Sequence, residues 1–155
     1  MKTPSPISRS KLAGELRNLR VQKKKIVFTN GVFDILHRGH VDYLRKAKSL
    51  GDVLVVGMNT DSSVKKIKDP HHPIQNQNDR AVILASLRSV DYVFFFDEPT
   101  PDELIRFVKP DVLVKGADYK LDQIAGAEFV KSYGGKVKRI KLTSGRSTSR
   151  ILAKL

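Results

Sequence analysis

The stretch Ile26-Val27-Phe28-Thr29-Asn30-Gly31-Val32-Phe33-Asp34-Ile35-Leu36-His37-Arg38-Gly39-His40 decides the fold. It opens on a short apolar run rich in β-formers and breaks at Asn30-Gly31, which reads as a buried strand and its end. From His40 to Leu50 the apolar residues Val41, Leu44 and Ala47 recur at three-residue spacing, and Gly51 follows. That spacing predicts an amphipathic helix closed by a glycine cap. Next, Val53-Leu54-Val55-Val56-Gly57-Met58 is almost uniformly apolar, as suits a parallel strand covered on both faces. Strand, helix and strand make a βαβ unit, with a right-handed crossover and a ligand crevice at the carboxyl ends of the strands.

The alternation continues outward. A short helix is expected after Asn59-Thr60-Asp61, a polar loop through Asp69-Pro70-His71-His72-Pro73, and a helix from about Asn76 to Ser89 that buries Val82, Ile83, Ala85 and Leu87. Tyr92 to Phe96 and Val112 to Lys115 read as strands. Between them Thr100 is expected to cap a helix with Pro101 at its first position and Asp102 and Glu103 in its first turn. A helix from about Gly126 to Tyr133 leads to a strand over Lys136 to Ile140, and Ser147-Thr148-Ser149 starts a C-terminal helix. Upstream, Ser10 caps a predicted helix from Lys11 to about Gln22, with Leu12, Leu16 and Leu19 at helical spacing. Five strands alternating with helices predict an α/β fold, a Rossmann-like five-stranded parallel sheet with helices on both faces. The expected division is a basic N-terminal extension with a short helix over residues 1–25 and one domain over residues 26–155.

The 155 residues suffice for a single core. Without cysteine there is no disulfide framework, thiol nucleophile or Cys-ligated zinc site. No apolar run has the length of a membrane span, and the N-terminus lacks the apolar region of a signal peptide, so a soluble cytoplasmic protein with no membrane partner is expected. The net charge of +13 suggests a polyanion as partner. Its distribution argues otherwise. Residues 1–25 hold 8 basic and 1 acidic residue, residues 26–130 hold 13 and 15, and residues 131–155 hold 8 and 0. Any phosphate chemistry in the middle therefore depends on a few placed cations rather than on bulk charge.

The loop between the first strand and helix is the strongest candidate for such chemistry. Gly31 and Gly39 let backbone approach a phosphate, and the helix beyond offers unpaired N–H groups. His37 and His40, three apart across the turn, can both donate to phosphate oxygens. Either alone reads equally as a polar loop residue or a helix cap. Ser147-Thr148-Ser149 reads as an anion site or as ordinary caps, with Arg146 beside it as a further cation. Lys65, Lys66, Lys68 and Arg80 read as phosphate ligands or surface charges. Lys115-Gly116-Ala117-Asp118-Tyr119 ends a strand at the crevice, where Asp118 could accept from a sugar hydroxyl. His71 and His72 read as exposed loop residues.

Gly31-x-Phe33-Asp34-x-x-His37-x-Gly39-His40 resembles the signature of the HxGH nucleotidyltransferase superfamily, which includes cytidylyltransferases and adenylyltransferases. The resemblance runs from about Ile26 to Leu152 and implies transfer of a nucleotidyl group from an NTP to a phosphate, with release of pyrophosphate. It implies catalytic roles for His37, His40 and Lys68. The nucleotide would be held by Asn30, Gly31, Val32, Phe33, Gly39, Arg80, Lys115, Gly116, Asp118, Ser147, Thr148 and Ser149, and the sugar phosphate by Asp34, Lys65 and Lys68. Mg²⁺ or a similar ion would be bound through the NTP phosphates and water, with no metal site on the protein.

Lys115-Gly116-x-Asp118-Tyr119, Ile124-Ala125-Gly126-Ala127-Glu128, Gly134-Gly135-Lys136-Val137 and the Gly-x-Ser-Thr-Ser end look like the heptose 1-phosphate adenylyltransferase group. That likeness implies ATP and D-glycero-D-manno-heptose 1-phosphate as substrates and ADP-heptose, for lipopolysaccharide or surface-layer glycans, as product. Related bifunctional proteins carry a sugar kinase before this domain, so a separate kinase is expected here, and the family likeness also suggests a homodimer. Many cytidylyltransferases carry Arg-Thr-x-Gly where this chain has Leu142-Thr143-Ser144-Gly145, a departure that counts against cytidine. The alternatives are a cytidylyltransferase for glycerol 3-phosphate or a similar phosphorylated alcohol, an FMN adenylyltransferase, and a nucleic-acid-binding module using the basic ends. The last lacks an RNA-binding motif or aromatic stacking strip, so no nucleic-acid partner is expected.

Overall fold

The computed structural model describes residues 4–155, so the first three residues of the expected 1–25 extension lie outside the described residues. Five parallel strands form one sheet in the order β3-β2-β1-β4-β5, with β1 Ile26–Gly31, β2 Val53–Asn59, β3 Tyr92–Phe96, β4 Val112–Gly116 and β5 Lys136–Ile140. The helices are α1 Arg9–Val21, α2 Arg38–Lys48, α3 Asp61–Ile67, α4 Gln77–Ala85, α5 Asp102–Val108, α6 Ala127–Ser132 and α7 Thr148–Leu152. β1 pairs with β2 on one side, Asn30 opposite Gly57, and with β4 on the other, Phe28 opposite Leu113. The chain therefore changes winding direction between β1 and β4, and the crevice at such a switch point opens at their carboxyl ends.

Side-chain alternation along each strand divides the core into two layers. Val27, Leu54, Val56 and Val114 pack on one face with Leu44 of α2 and Leu84 of α4. Phe28, Val55 and Leu113 pack on the other with Leu12 and Leu16 of α1, Leu104 of α5 and Val130 of α6. Both faces are covered, which is why the buried runs Ile26 to Phe28, Leu54 to Val56 and Val112 to Val114 are apolar throughout rather than alternating. The expected α/β sheet is the one observed.

Several boundaries differ from the sequence reading. α1 begins at Arg9, and its cap is Ser8, whose Oγ accepts from the Lys11 N–H, not Ser10. α2 begins at Arg38 because His37 is its cap. Thr100 does not cap α5; its hydroxyl donates to Asp102, and Pro101 occupies the cap position without a side-chain bond. α4 ends at Ala85 and buries Arg80, Ala81 and Leu84, while Val82 and Ile83 are exposed. Its rotation follows the internal bonds of Arg80, described next.

Candidate active site

At the carboxyl ends of β1 and β4 lies a cavity of about 640 Å³. Its wall includes Asn30 to Asp34, His37, Gly39, His40, Lys68, Lys115, Gly116, Asp118 and Ser147 to Ser149. Residues from four separate regions of the chain, each expected at a phosphate or nucleoside, thus share one cavity. Arg80 and Lys65 are absent from the wall.

The histidine pair is built by the start of α2. His37 Nδ1 accepts from the Gly39 N–H at 3.0 Å, and His40 Nδ1 accepts from the His37 N–H at 3.3 Å. The two rings thereby cap the helix that begins between them, and their centroids lie 3.9 Å apart. A neutral imidazole that accepts at Nδ1 carries its proton on Nε2. Capping and donating are therefore compatible, and each ring keeps one Nε2–H for a ligand. Burial lowers the pKa of His37 and drives His40 down to about 4, with the neighbouring His37 and Lys68 adding to the effect and Asp34 opposing it. Both rings are therefore neutral donors at pH 7. Gly39 leaves room for this arrangement, since a Cβ there would stand 2.7 Å from His37 Cε1 and 2.9 Å from its Nδ1. Phe33 backs the pair, its ring 5.5 Å from that of His40.

Asp34 borders the cavity but is only 3% exposed. Oδ2 accepts from the Ile74 N–H at 2.7 Å and Oδ1 from the Gln75 N–H at 3.0 Å. This carboxylate anchors the turn to residues 74 and 75 while bordering the cavity in which the sugar phosphate is expected. The expected nucleotide contact of Arg80 is corrected. This side chain is fully buried, and it donates from Nε to Gln75 O at 3.1 Å, from Nη1 to Val32 O at 2.7 Å and Asn59 O at 3.0 Å, and from Nη2 to Asp61 Oδ1 at 2.7 Å. Those bonds consume the guanidinium inside the protein, where it braces the turn after β1. Lys65 is exposed on α3 outside the wall, whereas Lys68, one residue beyond that helix, lines it.

Lys115 is 9% exposed, and its Nζ donates to Asn30 O at 3.3 Å and lies 5.0 Å from the Tyr119 ring centroid. Burial lowers its pKa to about 8, against the pull of Asp118. Asn30 Oδ1 is buried without a hydrogen-bond partner. An orphaned acceptor of this kind costs roughly 1–3 kcal/mol until something donates to it. At the other wall, Ser147 Oγ accepts from the Arg150 N–H, and the Thr148 hydroxyl donates to Asp34 O at 2.9 Å, which ties α7 to the histidine turn.

The wall also contains Tyr43, Asn59, Phe96 and Thr143, which the sequence reading did not place there. Asn59 ends a strand, the one signal available for it. Tyr43 and Thr143 arrive through tertiary bonds, Tyr43 with the Thr29 hydroxyl at 2.7 Å and Thr143 to Asp42 Oδ2 at 3.0 Å. His71 and His72 are outside the wall, and His72 Nδ1 stands 3.0 Å from Asp69. Among the described residues no group of three His, Asp or Glu could hold a metal ion, and no helix is long and apolar enough to cross a membrane.

Residues 28–153 match the family model described as cytidylyltransferase-like. The chain is 53% identical over 144 residues to the bifunctional protein HldE of Methylobacillus flagellatus, covering 93% of this chain and 30% of that protein. It is 54% identical over 145 residues to the bifunctional protein HldE of Aliarcobacter butzleri, covering 94% and 29%. The chain thus spans under a third of the length of these relatives. A crystal structure of the lipopolysaccharide core biosynthesis protein from Thermoplasma volcanium is 33% identical, covers 77% of this chain and 97% of its own, and superposes with a TM-score of 0.63.

Proposed function

This chain belongs to the cytidylyltransferase-like family, and from that premise we propose that it joins ATP to D-glycero-D-manno-heptose 1-phosphate, releasing pyrophosphate and ADP-heptose. The observation that carries the reading is the histidine pair: both Nδ1 atoms accept backbone N–H groups, so both Nε2–H groups are available as donors at one cavity. Two adjacent neutral donors suit an α-phosphate that gathers charge as its bonds exchange. A phosphate oxygen of the sugar attacks the α-phosphorus in line, and the bond to the β-phosphate oxygen breaks. The attacking oxygen is already anionic, so no side chain need act as base. Catalysis is then alignment of two polyanions, together with donors for the charge that develops.

Within this scheme His37 and His40 donate to the α-phosphate oxygens, and Lys68 meets the incoming sugar phosphate. Lys115, Gly116 and Asp118 hold the nucleoside, and Ser147 to Ser149 the outer phosphates. Of the two carboxylates bordering the cavity, Asp34 is engaged by backbone N–H groups, which leaves Asp118. That donor set suits a divalent ion carried on the nucleotide rather than held in a protein cage. Such an ion, when bound, neutralises phosphate charge. The choice of a heptose is supported by the Lys-Gly-x-Asp-Tyr loop and by relatives named as bifunctional HldE and as a lipopolysaccharide core biosynthesis protein. A sugar kinase would supply the heptose 1-phosphate, and a cytoplasmic homodimer is the expected form.

The test is a matrix of ATP and CTP against heptose 1-phosphate and glycerol 3-phosphate, read by pyrophosphate release. Turnover confined to ATP and the heptose supports the reading. Turnover with CTP alone replaces it with the cytidylyltransferase alternative.

A further inference from the structure

The turn that leads to His37 holds two non-glycine residues in the left-handed region, Phe33 at φ 52° and Ile35 at φ 48°. A β-branched residue persists there only where its surroundings over-determine it. The surroundings that do so come from the connection between α3 and α4. Gln75 Oε1 accepts from the Ile35 N–H at 3.1 Å, while the Gln75 N–H donates to Asp34 Oδ1. The Gln75 carbonyl accepts from Arg80 Nε, and the same guanidinium holds Val32 O. Gln75 therefore ties Asp34 and Ile35 directly, and Val32 through Arg80, using its side-chain oxygen, its N–H and its carbonyl. The other end of this connection is Lys68, in the cavity wall.

We propose that Gln75 is a positioning residue for the transfer reaction: its side-chain oxygen holds the Ile35 N–H and so fixes the turn that aims His37 and His40 at the reacting phosphate. The proposal rests on the nucleotidyl-transfer reading of the cavity. Gln75 is not in the cavity wall, so it acts through the turn and not on substrate. Loosening the turn misplaces the donors needed in the transition state while leaving the nucleoside loop after β4 in place. Such a change lowers kcat more than it raises KM.

Gln75→Met removes the acceptor and keeps the backbone groups. The expected result is a kcat lower by about 10- to 100-fold, the scale of a small donor misplacement, with the ATP KM within about threefold. Gln75→Glu retains an acceptor oxygen and is expected to keep most of the activity. Ile35→Gly in the Gln75→Met background restores kcat, because glycine adopts a positive φ without help. A second readout needs no substrate: by NMR, the histidine that titrates near 4 in the wild type moves toward its ordinary 6.5 in Gln75→Met and returns in the double variant. Unchanged kcat and titration in Gln75→Met, or a loss that neither Gln75→Glu nor Ile35→Gly relieves, overturns the proposal. A wild-type protein inactive with every nucleotide and acceptor overturns the transfer reading, and the catalytic role falls with it. An unmoved titration in an active enzyme overturns the Gln75 proposal alone.

Discussion

Replacing Arg80 by Met separates an internal brace from a phosphate ligand. The side chain is fully buried and donates to three main-chain carbonyls, Gln75, Val32 and Asn59, and to Asp61. Asp61 has a side chain 31% exposed, so water takes over much of its solvation once the guanidinium is gone. The carbonyls are less fortunate, the Asn59 bond being buried. Removing one member of a buried charged network costs about 3–5 kcal/mol. Methionine fills much of the volume, which favours the lower end, about 3 kcal/mol. In a domain of this size each kcal/mol moves Tm by roughly 2–4 °C, so Arg80→Met should melt about 6–12 °C lower. The assay is thermal unfolding followed by circular dichroism without nucleotide, paired with the ATP KM of the folded variant at low temperature. The account expects the drop in Tm, a lower kcat from a loosened turn, and a KM within a few-fold of wild type. An unchanged Tm with a KM raised more than about tenfold, 1.4 kcal/mol of lost binding, would show that Arg80 reaches the nucleotide and refute the reasoning.

Three further outcomes follow from the same geometry. Gly39→Ala puts a Cβ 2.7 Å from His37 Cε1 and 3.3 Å from Arg146 Cβ; the ring must swing away, and pyrophosphate release should fall about 100-fold while the protein stays folded by circular dichroism. Because His40 titrates near 4 in the folded state and near 6.5 when free of its surroundings, the unfolded chain takes up a proton that the folded one refuses between those values. Its contribution is complete above pH 6.5 and lost as pH falls toward 4, by at most about 3 kcal/mol, so Tm against pH should be flatter over that window in His40→Gln. Lys115, lowered to about 8 by burial, loses its charge as pH rises through that value; ATP affinity measured by calorimetry should weaken across pH 8 in the wild type and not in Lys115→Met.

The sheet was legible because buried parallel strands must be apolar on both faces. Val53 to Met58 declared itself for that reason, needing only Asn59 added where the strand pairs with Phe96. The histidine turn was legible because its bonds are local: His37 and His40 are separated by one helical turn, and the glycine between them is spaced to fit. Asp34 and Arg80 were not legible. Their partners lie 40 residues away in one case and 48 and 21 in the other, so only the folded chain reveals that both charges are engaged internally. The rotation of α4 is hidden from the sequence for the same reason, since apolarity favours burying Val82 and Ile83 while the bonds of Arg80 turn them outward. Gln75 carried no signal at all, because an amide in a polar loop looks alike whether it faces solvent or holds a backbone N–H.

The central claim is that His37 and His40 donate to the α-phosphate of ATP during transfer to heptose 1-phosphate. It is tested most directly by following pyrophosphate and ADP-heptose together in the wild type, His37→Ala and His40→Ala. The account predicts equal amounts of both products in the wild type, and turnover lower by about 100- to 1000-fold in either folded variant, the usual loss for one transition-state donor. Near-normal turnover in both variants, or a wild type that consumes CTP and leaves ATP untouched, would contradict it.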